Sequence, residues 1–507
     1  MSTIRVERYP NAVDYVLSRI SCWRDKTALI CSATGLSISY PDIRQIANTV
    51  SNRLKAAGIE PGSVVGICAV NCLEYPGVLL GIWNVGAIAV LLSIHLRTRE
   101  LQHQIRLAKP VAIYAPNMNE EQKEVFESFP KMKLLHWPLQ ELLKDERSTD
   151  RENSSKNEFN KIALLLFSSG TTGLPKMVAI NHSNVVISVE KLRTLLMLDN
   201  ERALGQLPFF HAYGLGVLLM ALCQGTTLIL MKKYIPEQFS DIFSTYKITH
   251  FHTVATFLRK LIDGSTELEK LKSLRYIFTS ACAADPKLQS EVLNSLKNIK
   301  MYHMFGMTET THVVTYQRVN LNRAGSIGRI LPFMKAKVIG AQGENVGKDV
   351  IGELCLSGPT VMAGYYGNKE ATEEAFTEDG WLRTGDVAKI DNEGYIYIID
   401  RIKSLIKFHG QQISPIEIEQ VITQIKGVSE AAVVGVPDER YGEVPKAYVV
   451  KEDDTVTEKD IKQIVERELA YYKWLRGGVK FVESLPKTPL LKVIKKNLIE
   501  EEHKNIS

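Results

Sequence analysis

Residues 166–176 read LFSSGTTGLPK. They follow an apolar run of strand length, residues 162–167. Backbone N–H groups, hydroxyls and one ammonium together suit a phosphate. The spacing is not that of the common phosphate loop, G-x-x-x-x-G-K-[ST], where Lys directly follows the second Gly. Here Gly170 and Gly173 are three apart, and Lys176 comes three later. Four further stretches carry groups of use to phosphate chemistry. His303-Met304-Phe305-Gly306-Met307-Thr308-Glu309 sets a hydroxyl and a carboxylate after a Gly turn, suited to a phosphate and to Mg²⁺. Thr384-Gly385-Asp386 offers a carboxylate that can accept two ribose hydroxyls. Asp400-Arg401 is followed by Lys403, Lys407, Gly410 and Gln412, and the stretch PKTPLLK ends on Lys492.

The elements that position these groups change character along the chain. Helical and strand-like segments alternate over the first 400 residues, which favours an α/β protein with buried sheets. Residues 145–160, DERSTDRENSSKNEFN, are nearly free of apolar side chains and read as an exposed connector before the phosphate-loop strand. The last hundred residues read as a small α+β unit. Ser414-Pro415-Ile416-Glu417 has the form of a helix start, with Ser as cap, Pro first and Glu three after the cap. Ile418, Val421, Ile422 and Ile425 then form the apolar stripe of a docked helix. Thr457 and Asp460 cap a second helix, and residues 431–436, 446–450 and 477–482 read as strands. The junction falls near residues 400–403. The expected organisation is α/β: a large multi-sheet N-terminal domain, residues 1–400, with a small mobile α+β C-terminal domain, residues 401–507.

Composition narrows the class. Of 507 residues, 45% are hydrophobic and 23% charged, as in an ordinary globular protein. A net charge of +5 is small for this length and does not argue for nucleic acid or an anionic membrane. Seven Cys without regular spacing, Cys68 and Cys72 the only close pair, fit reduced thiols in a cytosolic-type compartment. The N-terminal stretch is not a secretory signal, and the final HKNIS does not match S-K-L, so a cytoplasmic location is expected. Residues 76–94, PGVLLGIWNVGAIAVLLSI, are about the minimum length to span a bilayer. Gly86 interrupts them, so they read as helix, turn and buried strand.

Taken in order and at these spacings, the five stretches resemble the adenylate-forming superfamily: acyl-CoA synthetases, 4-coumarate–CoA ligases, insect luciferases and peptide-synthetase adenylation domains. The resemblance runs from about residue 10 to 500, and SSGTTGLPK is highly specific to it. DRIKSLIKFHG (residues 400–410) and LRGGV (475–479) are most similar to the luciferase and coumarate-ligase branch. The resemblance implies an ATP-dependent acid–thiol ligase. A hydrophobic, fatty-type carboxylate attacks the α-phosphorus of ATP, pyrophosphate leaves, and the acyl group passes to coenzyme A. Mg²⁺ is the implied metal.

Residue by residue, the resemblance implies that Ser168, Ser169, Gly170, Thr171, Thr172, Gly173 and Lys176 cradle the phosphates. It gives Thr308 a phosphate contact and Glu309 the Mg²⁺. Asp386 takes the ribose, with Arg401 nearby. Ala281, Cys282, Ala283, His303, Met304, Phe305 and Gly306 lie along adenine, with Cys282, Met304 and Gly306 also bordering the acid. His211 and Tyr213 line the acid site. Gln412 and Lys492 serve adenylation. Lys403 is the hinge, and Lys407 and Gly410 lie on the face used with the thiol. The chain departs from the family in Phe305 for Tyr, Met304 and Ala281 for Gly, and Leu490-Leu491 for Ser-Gly. Two alternatives are a luciferase-like oxygenase and an adenylate-binding protein without turnover. Ala212, where beetle luciferases carry a second His, argues against the first.

Overall fold

The structure, a computed structural model, describes residues 9–144, 158–168, 175–196, 201–232, 235–262, 266–280, 286–319, 323, 325–340, 342–401, 405–452, 455–486, 495 and 498–499. Strands among them form sheets of 13, 7 and 5 strands. In the seven-stranded sheet, Val64–Ile67 and Ile88–Leu91 are wholly buried, and the parallel pairing runs on to Ile162–Ser168. Strands covered on both faces need no alternation of apolar and polar residues, which is why they read as continuous apolar runs. Ile162–Ser168 then turns back on Lys176–Asn181 as an antiparallel hairpin, with Ser168 opposite Lys176. The described strands on either side of residues 169–174 are thus antiparallel neighbours, and Lys176 begins a strand rather than the helix that follows a P-loop.

The thirteen-stranded sheet has a parallel part and an antiparallel part. Tyr276–Thr279 lies between His250–Thr253 and Lys300–Gly306 in parallel register. From Lys300–Gly306 onward the strands run antiparallel, through Val313–Arg318 and Ser326–Ile330 to Tyr395–Arg401 and Leu382–Ile390. The change of direction falls beside Thr308 and Glu309, so the end of the parallel part opens there, where ligands of α/β sheets usually bind.

Residues 76–94 are a helix, Tyr75–Asn84, a turn at Gly86 and a buried strand, Ile88–Leu91, as the sequence predicts. Among the described residues no helix is long and apolar enough to cross a membrane. Cys68 and Cys72 are free and buried, and burial pushes the Cys68 thiol up to about 12.

The five-stranded sheet belongs to residues 406–481. Pro415–Ile422 packs Ile418, Val421 and Ile422 onto it, and their core cluster runs from Ile406 to Leu498 without residues of the large sheets. Glu458–Glu468 starts with the expected capping box of Thr457 and Asp460. The Ser414 start does not: its side chain makes no cap bond and its hydroxyl has no partner among the described residues. Glu417 is drawn instead to Lys473, 2.9 Å away. The carboxylate thus answers a buried ammonium instead of the helix's first N–H groups.

Candidate active site

A cleft of about 470 Å³ lies where the five-stranded unit meets the two larger sheets. Ser168, Pro175 and Lys176 line its hairpin side. The Lys176 ammonium stands 4.8 Å from the centroid of the Tyr365 ring, and the Tyr365 hydroxyl donates to Glu309 Oε1 at 3.0 Å. Burial, then the Glu309 carboxylate, hold the Tyr365 phenol protonated well above its ordinary range. Cation, ring and carboxylate are thus fixed in series along one wall. Thr308 and Glu309 sit on a short 3₁₀ turn after Lys300–Gly306, held by the Thr310 hydroxyl, which accepts from Met307 N at 3.1 Å. Ser169, Gly170, Thr171, Thr172 and Gly173 lie outside the described residues.

On the expected ribose side, Thr384 and Gly385 line the cleft, and Asp386 follows them in the strand Leu382–Ile390. Asp386 is 2% exposed, and its backbone N–H is bound by the Thr384 hydroxyl at 3.1 Å. Arg401 is its neighbour across the ladder, so the expected closeness holds along the backbone. Arg383 and Glu353, also on the cleft wall, pair at 2.6 Å. On the expected adenine side, His303 is buried, Nδ1 has no partner among the described residues, and burial lowers its pKa to about 4. Gly306 and Ser280 reach the cleft, whereas Ala281, Cys282 and Ala283 lie outside the described residues.

His211 stands just before the helix Ala212–Gln224, makes no side-chain cap bond, and bonds through Nε2 to Gln411 Oε1 at 2.9 Å. Burial lowers its pKa, against the raising effect of Gln411, so the ring is neutral near pH 7 and its Nε2 carries the proton that the amide oxygen accepts. Tyr213 donates to Phe278 O at 3.0 Å. Met304 lies one layer deeper than the cleft, packed with Leu192, Met220, Phe278, Val313 and Leu331. It lines a void of about 10 Å³ that shares Tyr213, His312 and Val313 with the cleft. Two residues here were not legible in the sequence. His312 donates from Nε2 to Ala212 O at 2.7 Å, is held down to about 4 by burial, and lies over Gly216, where a Cβ would stand 1.1 Å from its Cε1. His252 lines the same void, stacked on Phe278 at 4.6 Å.

The small unit contributes Gly410, Gln411, Glu417, Tyr472 and Lys473 to the cleft. Gly410 is left-handed, at φ 83°, and a Cβ there would approach Val254 Cγ1 of the large part to 2.8 Å. Lys407 lies on the strand Ile406–Phe408 behind that turn and is not on the cleft wall; its backbone N–H is held by Glu443 Oε2 at 2.7 Å. Gln412 lies on the strand Gln411–Ile413. Lys403 and Lys492 lie outside the described residues.

A hydroxyl-, Lys- and carboxylate-lined cleft at the end of a parallel sheet, closed by a second unit, defines a nucleotide-dependent transferase or ligase site. The chain belongs to the AMP-binding enzyme family: that family's model matches residues 18–366, and the model of its C-terminal domain matches residues 417–492. It is 30% identical to a probable 4-coumarate–CoA ligase of Dictyostelium discoideum, over 98% of this chain and 97% of the relative. It is 32% identical to luciferin 4-monooxygenase of Luciola mingrelica, over 90% and 87%. A double mutant of Bacillus subtilis o-succinylbenzoate CoA synthetase, bound to a product analogue, OSB-NCoA, superposes with a TM-score of 0.86 at 25% identity, covering 96% of this chain and 98% of that one. The same enzyme with its acyl-adenylate, OSB-AMP, gives 0.68 at 26% identity, covering 96% and 97%.

The chain is an acid–CoA ligase-type enzyme, with ATP, Mg²⁺ and CoA as its cofactors. Its described residues fit them. Lys176, Thr308 and Ser168 present a cation and hydroxyls to one wall. Among the described residues no group of three His, Cys, Asp or Glu side chains is arranged to hold a metal. A lone carboxylate such as Glu309 suits Mg²⁺, which completes its shell with water and phosphate oxygens.

Proposed function

We propose that the chain activates a hydrophobic carboxylic acid, of fatty rather than broad aromatic type, and passes the acyl group to CoA. In the first step a carboxylate oxygen bonds to the α-phosphorus of ATP and pyrophosphate leaves. In the second, the CoA sulfur bonds to the acyl carbon, AMP leaves, and the thiol proton goes to solvent. Neither step needs a protein nucleophile. Each needs like charges brought together, which is a matter of positioning and fixed countercharge. Lys176, Thr308 and residues 168–173 would hold phosphates, Glu309 would hold Mg²⁺, which would supply neutralising charge, and Asp386 with Arg401 would orient the ribose. Residues 1–400 form the site, and residues 401–507 turn about Lys403 to offer Lys492 and Gln412 to the first step and Gly410, with Lys407 behind it, to the second.

The observation that carries this reading is the meeting of Gly410 and Gln411 with Val254 and His211. The face read as serving the thiol is turned toward the acid side of the cleft. The higher TM-score to the relative bound to a CoA-type product analogue than to the same relative with an acyl-adenylate supports this orientation. The test is CoA-dependent AMP formation across a series of carboxylic acids. Thioester with stoichiometric AMP supports the reading. Pyrophosphate release that leads to an oxidised product with O₂, and to no thioester, would favour the luciferase-like alternative. No pyrophosphate release with any acid would leave a nucleotide-binding protein.

Met304 sets the expected size of the acid. Met304 is 3% exposed and packs one layer behind the cleft, beside a small void lined by Tyr213 and His312. Met304→Ala opens that layer, and each further methylene accommodated contributes ~0.8 kcal/mol, about four-fold in affinity. The expected result is a shift of kcat/KM toward longer or bulkier acids, together with a stability loss of ~2–5 kcal/mol from the cavity. The same acid profile in both proteins would show that the acid does not reach Met304.

A further inference from the structure

An ion cluster at the cleft wall spans the two parts of the molecule. Glu100 lies on the helix Thr98–Ala108 of the large part, while Glu417 and Lys473 belong to the small unit. The Lys473 ammonium bonds to Glu100 Oε1 and, at 2.9 Å, to Glu417 Oε1. The three side chains are only 5–7% exposed. Glu100 Oε2 also accepts from Arg97 N at 3.1 Å at the start of its helix, so only its other oxygen faces the small unit's ammonium. Two carboxylates and one ammonium removed from water are costly, and the arrangement holds only while the ammonium stays between them. Burial raises the pKa of Glu100, and Lys473 opposes that effect. Around the cluster, the Arg97 guanidinium lies 5.9 Å from the Trp474 ring centroid and His95 meets Tyr471 edge-on at 5.3 Å, again across the boundary.

We propose that Lys473 is a positioning residue for thioester formation: its ammonium, held between Glu100 and Glu417, latches the small unit in the orientation that turns Gly410 and Gln411 into the cleft. The inference rests on the two-step reading above. Turning the small unit away separates Glu100 from Lys473 and exposes all three groups to water. The latch therefore acts in one orientation only, and its loss falls on one half-reaction only.

The test is Lys473→Met, which keeps the length of the side chain and leaves two carboxylates buried together in the latched state. Transfer from a supplied acyl-adenylate to CoA should fall about 30-fold or more, the scale of a buried pair broken on one side. ATP–pyrophosphate exchange in the same preparation should stay within about two-fold, since the solvated state gains no repulsion. Adding Glu100→Gln to this variant removes the repelling charge and should recover transfer at least about five-fold, a rescue that mere loss of packing would not show. A readout free of activity accompanies these: interspin distances between labels at Lys369→Cys and Lys459→Cys, both exposed, in a Cys22→Ser background. The short, latched distance should dominate in the parent and diminish in Lys473→Met. An unchanged distance distribution, equal loss of both half-reactions, or no recovery in the double variant would each overturn the latch. A parent that forms no thioester with any acid would instead sink the two-step reading, while the distances still decide whether the cluster holds the two parts together.

Discussion

Replacing Gly410 by leucine lowers acyl transfer to CoA about 100-fold and leaves acyl-adenylate formation nearly intact. Two costs act at this position, and only one divides the half-reactions. A left-handed backbone at φ 83° opposes any β-carbon by ~1–2 kcal/mol. That strain belongs to the turn itself and accompanies the small unit in every orientation, so it lowers stability without choosing a step. The second cost is steric. A Cβ at Gly410 stands 2.8 Å from Val254 Cγ1, a buried side chain of the large part, and a leucine would extend further into the cleft. Overpacking of this kind costs ~1–3 kcal/mol, about 5- to 150-fold, and it arises only when the two parts meet through this face. The side chain also narrows the route by which the CoA arm reaches the acyl carbon. The measurement is thioester formed from a synthetic acyl-adenylate, set against ATP–pyrophosphate exchange by the same protein. Gly410→Ala is the milder form, and pairing it with Val254→Ala relieves the contact and returns part of the transfer rate. Equal losses in the two assays would mean that this turn does not serve one step alone.

What the sequence discloses and what it hides differ by range of interaction. The strand Ile162–Ser168, the helix Tyr75–Asn84 with its Gly86 turn, and the capping box at Thr457 rest on neighbours a few residues apart, so residue types alone carry them. That Ser168 and Lys176, Thr308 and Glu309, and Thr384 and Gly385 meet at one cleft followed from short stretches singled out by their residue types, while the roles given to them remain proposals. The contacts that join the two parts were not. Gln411 meets His211 across 200 residues of chain, and Lys473 meets Glu100 across 373. His211 was marked by its motif but its partner was not, and a Lys or Gln taken singly reads as solvated surface. Glu417 shows the stronger failure, in which a local signature is overridden. Ser414 and Glu417 have the spacing of a capping box, yet the glutamate turns inward to the ammonium and the serine hydroxyl is left without a partner among the described residues. His312 was hidden differently. Its ring fills the space above Gly216, so its place depends on a glycine nearly a hundred residues earlier that reads only as part of an apolar helix.

Lys492→Ala should lower acyl-adenylate formation by ~10²–10³, the usual cost of removing a charge that stabilises a transition state in a partly dry cleft. The acid and the α-phosphate are both anionic, and their approach needs a cation that touches the two at once. Lys176 cannot supply it, because its ammonium is engaged over the Tyr365 ring on the hairpin wall, where the outer phosphates would lie. The match to the family's C-terminal domain extends to residue 492, and the lysine there closes the stretch PKTPLLK. Leu490 and Leu491 stand where the family has Ser-Gly, and they add apolar bulk without removing the charge. From the small unit, the described cleft wall takes Gly410, Gln411, Glu417, Tyr472 and Lys473, a set suited to the second step. Transfer from a supplied acyl-adenylate to CoA should therefore proceed in the Ala variant at close to the parent rate. Loss in exchange with retention in transfer is the mirror image of the Gly410→Leu result, and the two variants together separate the faces of one small domain. Normal pyrophosphate exchange in Lys492→Ala would mean that the leucine pair has moved the working cation to another side chain.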